Sequence, residues 1–168
     1  KDKYANYHTQ NVNHSLIHWA YCTANPLKHK EYSAECWGLT ASDDPGGYKV
    51  HEPTVFNDNG TITPTAALSS MPYTPEQSMA ALKYFYFNQG EKLFGKYGFY
   101  DAFNVTKNWY ATSTLAIDQG PIICMIQNYR TELLWKNFMK NEEISEALEK
   151  IGFVEDVLSN NDFIDNWL

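Results

Sequence analysis

Apolar residues recur at helical spacing in four stretches of the chain, which predicts an all-α protein. Asn25-Pro26 ends the first stretch, because the residue before a proline avoids helical geometry. Thr74, followed by Pro75 and then by Gln77, gives the second stretch a capping-box start with proline at the first helical position. The predicted helices cover residues 7 to about 24, 75 to about 88, 121 to about 140 and 141 to about 151, with a short fifth helix around residues 153–158.

The third predicted helix has the broadest apolar face, which is typical of a helix that is buried on most of its sides. Trp19, Phe85 and Trp135 stand at helical spacing within the predicted helices. They are therefore expected to be core residues rather than ligand-binding ones.

Two long segments without regular periodicity separate the first three helices. Loop one covers residues 25–73, and its "NDNG" turn at 57–60, between "YKVHEPTVF" and "TITPT", predicts a small β-hairpin. Loop two covers residues 97–120, "YGFYDAFNVTKNWYATSTLAIDQG". Loops of this length are uncommon in compact domains and are usually functional, so we look for the site where the two loops meet the helices.

The composition argues against some classes of binding partner. The 168 residues suffice for one domain, and aromatic residues make up 15% of them, which suits both a packed core and the flat faces of sugar rings. The net charge of -7 argues against nucleic acid and against an anionic membrane surface as partners. The sequence contains no apolar run long enough for a membrane span.

Three loop acids have apolar or aromatic neighbours in the sequence and are the candidate catalytic residues: Glu35, Asp101 and Asp118. An apolar setting raises the pKa of a carboxyl group and makes it a general acid near neutral pH. Two carboxyl groups facing one bond are what glycoside cleavage requires. Structural alternatives remain open, since Asp118 could cap the third helix and Asp101 could bond its own loop, whereas glutamate is poor at turn bonding.

The candidate substrate-binding residues are Trp37, Asp43, Tyr100, Trp109 and Arg130. The loop tryptophans offer stacking faces for a sugar, and Arg130 on an apolar helix is expected to pair with a buried acid or with a ligand. Asp43 and Asp44 precede Pro45-Gly46-Gly47, so a purely turn-forming role is the alternative for both, more strongly for Asp44.

A metal site is not predicted. His14 and His18 share a helix face at the spacing that metalloproteases use, but Ser15 stands where those enzymes have glutamate.

Several long phrases, in order, closely resemble the bacterial glycoamylase family, which includes secreted endo-β-1,2-glucanases. The phrases are "ECWGLTASD", "GGYKVHEP", "GTITPTAALSSMPYTPEQSMAALKYFY", "YGFYDAFN" and "LAIDQGPIICMIQNYRTELLWKNFM". The likeness covers residues 5 to about 153. The sequence departs from the expected phrases at three positions: Gln127 replaces glutamate, while Glu132 and Asp44 each replace glycine.

The resemblance implies an (α/α)6 barrel, of which residues 1–168 form the C-terminal portion of a single domain. Four or five helices cannot make twelve, so an N-terminal portion, in the same or a separate chain, is expected as a partner. It is expected to supply some of the catalytic carboxylates. The family's characterised enzymes imply inverting hydrolysis of β-1,2-linked glucans, no cofactor, and a secreted or periplasmic location, with a lipoprotein anchor as one route.

Three functional hypotheses follow from the sequence. The first is a glycoside hydrolase whose pocket is walled by loops one and two, with Glu35 in a proton-transfer or water-orienting role. The second is a carbohydrate-binding protein that keeps the pocket without efficient turnover. The third is a helical scaffold without a sugar ligand, against which a polar pocket walled by tryptophan would count.

Overall fold

The computed structural model describes residues 1–154, and their regular structure is helical apart from two very short strand pairs. The elements in chain order are α1 Tyr7–Ala24, α2 Pro64–Leu68, α3 Pro75–Leu93, β1 Phe94–Gly95, β2 Gly98–Phe99, β3 Phe103–Asn104, β4 Trp109–Tyr110, α4 Ala116–Thr131, α5 Leu133–Met139 and α6 Glu142–Lys150. The prediction of a helix-rich protein with long loops is confirmed, and the short α2 was not predicted.

Helix α1 begins and ends where the sequence predicts. The Asn6 side chain accepts a hydrogen bond from the Thr9 amide at 3.1 Å, and so caps the first turn. At the other end Asn25 adopts a left-handed conformation with φ 46°, and its amide bonds to the Tyr21 carbonyl. Asparagine tolerates this conformation, which stops the helix directly before Pro26.

Helix α3 starts at Pro75 as predicted, but the capping box does not form. The Thr74 hydroxyl lies by the Ser70 carbonyl and the Ser78 hydroxyl instead of bonding an amide of the first turn. The helix also passes through Gly90 and ends at Leu93, since a single glycine weakens a helix without stopping it.

The third predicted helix is two helices. Helix α4 starts at Ala116, ahead of Pro121, because the Asp118 and Gln119 amides bond to the Leu115 carbonyl and make the first turn. It ends at Thr131. The next residue, Glu132, is left-handed with φ 56°, and α5 begins at Leu133. Glycine, the residue in the family phrase at this position, adopts such a φ without steric cost.

Helix α6 confirms the fourth predicted helix, with the Asn141 side chain as its cap. The short fifth helix predicted around residues 153–158 lies mostly outside the described residues, and residues 153 and 154 are not helical.

The β-hairpin predicted around residues 57–60 is wrong. Its flanks do not pair with each other; Ile62 pairs with Phe103 of loop two, and Ser42 pairs with Lys49. The strand pairs that do form in the described chain lie beyond α3, where β1 pairs with β2 and β3 with β4, both antiparallel. The "NDNG" turn therefore joins no hairpin.

The irregular loops supply much of the core. Trp37, Leu39 and Ile62 of loop one and Phe103 of loop two are at most 2% exposed, and Phe103 stacks edge-on against Phe85 of α3 at 5.7 Å between ring centroids. Apolar contacts therefore fix both loops as firmly as the helices, which lets the loops position polar side chains accurately.

The expected burial of the third helix is wrong for this chain. Ile123 of α4 is 69% exposed, Trp135 of α5 is 39% exposed and Phe138 is 60% exposed, so large apolar side chains of both helices are open. Phe85 is a core residue as predicted, and Trp19 packs against the core from its edge. None of the helices in the described residues combines the length and apolar character that a membrane span requires.

Candidate active site

Loops one and two meet through a closed ring of three hydrogen bonds. The Asp43 amide donates to Oδ2 of Asp101 at 2.7 Å, the Asp101 amide donates to the Ser113 carbonyl at 3.0 Å, and the Ser113 hydroxyl donates to Oδ2 of Asp43. Each residue of the ring is thus bonded to the other two. The ring joins Asp43 of loop one to two separate parts of loop two.

Asp118 completes what we call the acid cluster: Asp43, Asp101 and Asp118. It lies in the first turn of α4 and is 9% exposed, and its backbone carbonyl accepts a hydrogen bond from the Thr65 hydroxyl at 2.9 Å. Leu115, not Asp118, is the N-cap residue of α4, so the capping role considered for Asp118 is not observed. Its carboxyl group points to Asp101, with which it forms a hydrogen bond when one of the two is protonated.

The buried carboxyl groups of Asp101 and Asp118 each have an oxygen without a donor. Oδ1 of Asp101 and Oδ2 of Asp118 are buried and accept no hydrogen bond from any group in residues 1–154. Two ionised carboxylates offer only acceptors, so they repel each other when they lie within hydrogen-bonding reach. A single proton held between them relieves the repulsion.

The pKa of Asp101 is raised from 3.8 to about 7, first by burial and further by the hydrogen bond and charge of Asp118 and the charge of Asp43. The Asp43 amide opposes these effects, because it bonds the ionised form. Asp101 is therefore still partly protonated near neutral pH, at which an aspartate with the ordinary pKa is ionised.

A cavity of about 330 Å³ opens beside Asp118, between α1, α2 and the start of α4. Its lining residues are His14, Ser15, His18, Trp37, Leu39, Thr40, Thr65, Ala66, Ser69, Ser70, Ile117, Asp118 and Pro121. The hydroxyl and imidazole groups among them suit a hydroxyl-rich ligand, and the size falls within the range of small-molecule sites.

Two histidines of this wall were not predicted as site residues. The rings of His14 and His18 lie 4.8 Å apart, and burial, with a smaller effect from His14, lowers the pKa of His18 to about 4. A neutral imidazole offers one donor and one acceptor, which fits a sugar hydroxyl. Their i,i+4 spacing was the available signal, but it was considered only for a metal; in residues 1–154 no group of three or more His, Cys, Asp or Glu side chains is placed so that it could hold a metal ion.

Two further residues escaped sequence analysis. Ser113 closes the ring, although nothing in the surrounding "YATSTL" marks it out. Tyr48 is 60% exposed and lies above the acid cluster, where partial burial and the charges of Asp118, Asp101 and Asp43 raise its pKa.

The structure brings part of the predicted site together. Asp43, Asp101 and Asp118 form the acid cluster. Trp37 borders the cavity but is fully buried, with its Nε1 donating to the Gln77 carbonyl at 3.2 Å, so it offers an edge rather than an open stacking face. Half-buried Tyr100 follows β2 and leads directly into Asp101; its ring lies against Gly95, where a Cβ would approach the hydroxyl to 2.8 Å.

The other predicted residues lie apart from the cluster. Glu35 is exposed, so the apolar setting expected for its carboxyl group is not observed, and it does not line the cavity. Trp109 is half-buried in β4 opposite Asn104. Arg130 is exposed near the end of α4 and forms no ion pair with the described residues, so the buried acid expected as its partner is not found there.

Two further loop-one acids are buried among donors. Asp44 accepts hydrogen bonds from Asn59 at 2.6 Å, Thr61 at 3.0 Å and the Gly46 amide at 3.0 Å. Although burial alone would raise its pKa, these bonds and the Lys49 ammonium group at 3.4 Å lower it to about 2. Asp58 accepts from the Tyr32 hydroxyl and lies 3.4 Å from His29.

The sequence was compared with protein families and with known proteins, and both comparisons give matches over most of the chain. The model of the Glycoamylase family, described as "Putative glucoamylase", matches residues 1–142. A curated relative from Parabacteroides distasonis, an exo β-1,2-glucooligosaccharide sophorohydrolase, is 46% identical over 154 residues, which are 92% of this chain and 21% of the relative.

Solved structures agree with the sequence match. An endo-β-1,2-glucanase from Chitinophaga pinensis, in complex with sophorotriose and glucose, superposes with a TM-score of 0.90 at 53% identity. A Bacteroides uniformis protein of the same description as the family superposes with a TM-score of 0.89 at 56% identity. Both matches cover 92% of this chain and 37% of the other, so this chain spans well under half of the relatives it matches. The chain belongs to the Glycoamylase family.

Proposed function

We propose that the complete protein is a glycoside hydrolase that cleaves β-1,2-linked glucans, and that Asp101 and Asp118 supply the proton to the leaving group. The observation that carries the proposal is the buried, donor-poor pair of carboxyl groups, of which Asp118 lines the cavity and Asp101 lies behind it. The β-1,2-glucan activities named for the relatives support the substrate class.

The chemistry follows from the shared proton. Cleavage of a glycosidic bond needs a general acid that is still protonated at the working pH, and Asp101 with its pKa of about 7 meets that need. Such acid–base chemistry requires carboxyl groups and water, and neither a metal ion nor an organic cofactor.

Asp101 and Asp118 act as one acid in this proposal, not as an acid and a base. An inverting enzyme separates its two carboxyl groups by about 6.5–9.5 Å, to leave room for the attacking water. The Asp101 and Asp118 carboxyl groups are within hydrogen-bonding reach of each other, which leaves no such room. Inversion therefore requires a base from another carboxylate, and we place that base in the portion of the protein outside this chain.

The remaining predicted site residues keep more distant roles in the proposal. Trp37 and His18 form the wall against which a glucosyl unit lies, and Tyr100 supports Asp101 from the adjoining position. Glu35, Trp109 and Arg130 reach the substrate only if the rest of the protein builds a longer cleft over the surface that exposes them.

The open apolar face of α4 and α5 supports a partner within the same protein. Ile123, Leu134, Trp135 and Phe138 are each at least 39% exposed, a large amount of exposed apolar surface for two consecutive helices. We propose that an N-terminal portion, in the same or a separate chain, packs on this face and completes the (α/α)6 barrel. A secreted or periplasmic location stays a prediction from the family resemblance.

Replacing Asp101 by asparagine in the complete enzyme tests the proposed acid. The change keeps the shape of the side chain and removes the proton, so kcat on β-1,2-glucan is expected to fall by about 10²–10⁴-fold. Release of reducing sugar measures the turnover, and calorimetry with sophorose-type oligosaccharides measures binding, which should persist.

Two comparisons make the result decisive. Exposed Glu35, replaced by glutamine, tests the rival catalytic candidate, and an α-1,4-glucan tests the substrate class that the glucoamylase description suggests. Undiminished turnover in the Asp101→Asn enzyme would refute the assignment of the acid. Hydrolysis of the α-linked glucan alone would refute the assignment of the substrate.

A further inference from the structure

The bonds around Asp101 distinguish its two carboxyl oxygens. Oδ2 accepts the Asp43 amide at 2.7 Å, whereas Oδ1 is buried and takes no hydrogen bond from the described residues. A donor bonded to one oxygen favours negative charge on that oxygen and leaves the proton to the other. The free oxygen of Asp101 therefore has the acidic proton.

We infer that Ser113 is a positioning residue that keeps Asp101 in this orientation through the backbone of Asp43. Its hydroxyl donates to the Asp43 carboxylate, and its carbonyl accepts the Asp101 amide. The inference rests on the proposed function for its consequence in catalysis, but the arrangement itself is a property of the folded protein.

The ring of hydrogen bonds holds the Asp43 amide in position against the Asp101 carboxyl group. Residues 45–50 are all exposed, whereas Ser42 and Asp44 on either side of Asp43 are buried and hydrogen-bonded, so the backbone of residue 43 is held at both ends. Among the described residues the Asp43 carboxylate takes its side-chain hydrogen bond from Ser113. Removing that hydroxyl leaves the Asp43 side chain without this bond and lets the residue 43 peptide tilt between its two anchored neighbours, so the bond from its amide to Asp101 weakens.

The direction in which the pKa of Asp101 should change follows from how each neighbouring group affects that pKa. The titratable groups facing Asp101 are Asp43, Asp118 and Tyr48, and no described cation pairs with the cluster. The Asp43 amide stabilises the ionised form of Asp101. When Ser113 is replaced by alanine, that stabilisation declines while the charge of Asp43 remains, so the pKa of Asp101 rises.

Titration of the full-length protein tests the inference independently of turnover. Carbon-13-labelled aspartate gives the carboxyl signals, and the loss of one signal in Asp101→Asn assigns Asp101. The Ser113→Ala protein should titrate Asp101 about half to one pH unit higher than the parent, a shift of the size expected for one weakened charged hydrogen bond. Ser113→Thr, which keeps the hydroxyl, should return to the parent value.

The exposed neighbour Thr112 provides the matched control, since Thr112→Ala removes a hydroxyl one residue away without touching the ring. An Asp101 titration in Ser113→Ala equal to that of the parent would overturn the inference, as would equal shifts in Ser113→Ala and Thr112→Ala.

Kinetics then separate the inference from the proposed function. With β-1,2-glucan as substrate, Ser113→Ala should lower kcat about 10-fold with little change in KM, and the alkaline limb of its pH profile should move upward with the titration of Asp101. If the parent enzyme releases no sugar, the proposed function fails while the titration still decides the role of Ser113.

Discussion

Asp43 and Asp44 are neighbours in one loop, yet they belong to two regions of opposite electrostatic character. Asp44 lies among donors: Asn59, Thr61 and the Gly46 amide bond to it, and Lys49 lies 3.4 Å away. Asp43 lies among acids, and its amide contributes the hydrogen bond that favours an ionised Asp101. One step along the chain therefore separates a carboxylate that the fold keeps ionised from a cluster that it keeps partly protonated.

The difference shows that burial alone does not decide the charge of a carboxyl group. Asp44 is 5% exposed and Asp101 is 1% exposed, yet the pKa of Asp44 is lowered to about 2 and that of Asp101 is raised to about 7. Burial raises the pKa of both, and the number of donors reverses the outcome for Asp44.

The two regions also differ in what they do for stability. A lowered pKa means that Asp44 stabilises the fold above its unfolded value near 3.8, and this contribution is lost as the pH falls towards 2. A raised pKa has the opposite sign. Asp101 binds more protons in the folded state between pH 3.8 and about 7, so stability falls as the pH rises across that window.

The largest expected effect comes from neutralising the donor-rich acid. Asp44→Asn places an amide group against donors that need an acceptor and removes the partner of Lys49. The free energy of unfolding is expected to fall by about 3 kcal/mol, because hydrogen bonds from Asn59, Thr61 and the Gly46 amide to a buried charged group are weakened or lost. Thermal unfolding of the complete protein at pH 7 measures the change as a lower Tm.

Asp101→Asn is the matched control, because it makes the same chemical change in the acid cluster. It removes a repulsive charge rather than an attractive one, so Tm at pH 8 should stay equal or rise. A similar loss of stability in both variants would mean that the two regions do not differ in the way described.

Sequence patterns predicted most of the helices because helix signals are local. The end of α1 before Pro26 and the start of α3 at Pro75 follow from prolines, which act within one turn. The break at Glu132 was missed, since only the backbone shows the left-handed φ, although the glycine of the family phrase at that position pointed to it. The predicted hairpin failed because Ile62 pairs with Phe103, a partner far away in the sequence.

The acid cluster could be predicted only as a set of candidates. Asp101 and Asp118 stood out by their apolar neighbours, but the same reasoning chose Glu35, which is exposed. Neighbours in sequence do not report burial in a loop, because a loop turns each residue separately. Ser113 carried no signal, since its role depends on contacts with residues of another loop and not on its own surroundings.

Two buried threonines, Thr61 and Thr63, test whether a hydroxyl that donates to Asp44 stabilises the fold. The Thr61 hydroxyl donates to Asp44 at 3.0 Å, whereas the buried Thr63 hydroxyl has no partner in residues 1–154. Thr61→Val should cost about 1.5–3 kcal/mol and raise the pKa of Asp44, since a hydrogen bond to a charged group is lost. Thr63→Val should be neutral or stabilising, and Tm at pH 7 compares them; an equal cost in both would contradict the assigned role of Thr61.

The smallest and most specific effect is expected from Asp43→Asn. This change removes the charge that raises the pKa of Asp101, but it keeps the amide that bonds Oδ2 and an oxygen for the Ser113 hydroxyl. Asp101 should therefore titrate about half a unit lower, and the pH window in which stability falls should end earlier.

The direction is what makes Asp43→Asn informative. Ser113→Ala weakens the donor and keeps the charge, so it raises the pKa of Asp101, whereas Asp43→Asn keeps the donor and removes the charge, so it lowers that pKa. Opposite shifts in the carboxyl titration would separate the backbone of residue 43 from its side chain as two distinct influences on one acid. Shifts of the same sign would mean that both variants act only by loosening the turn.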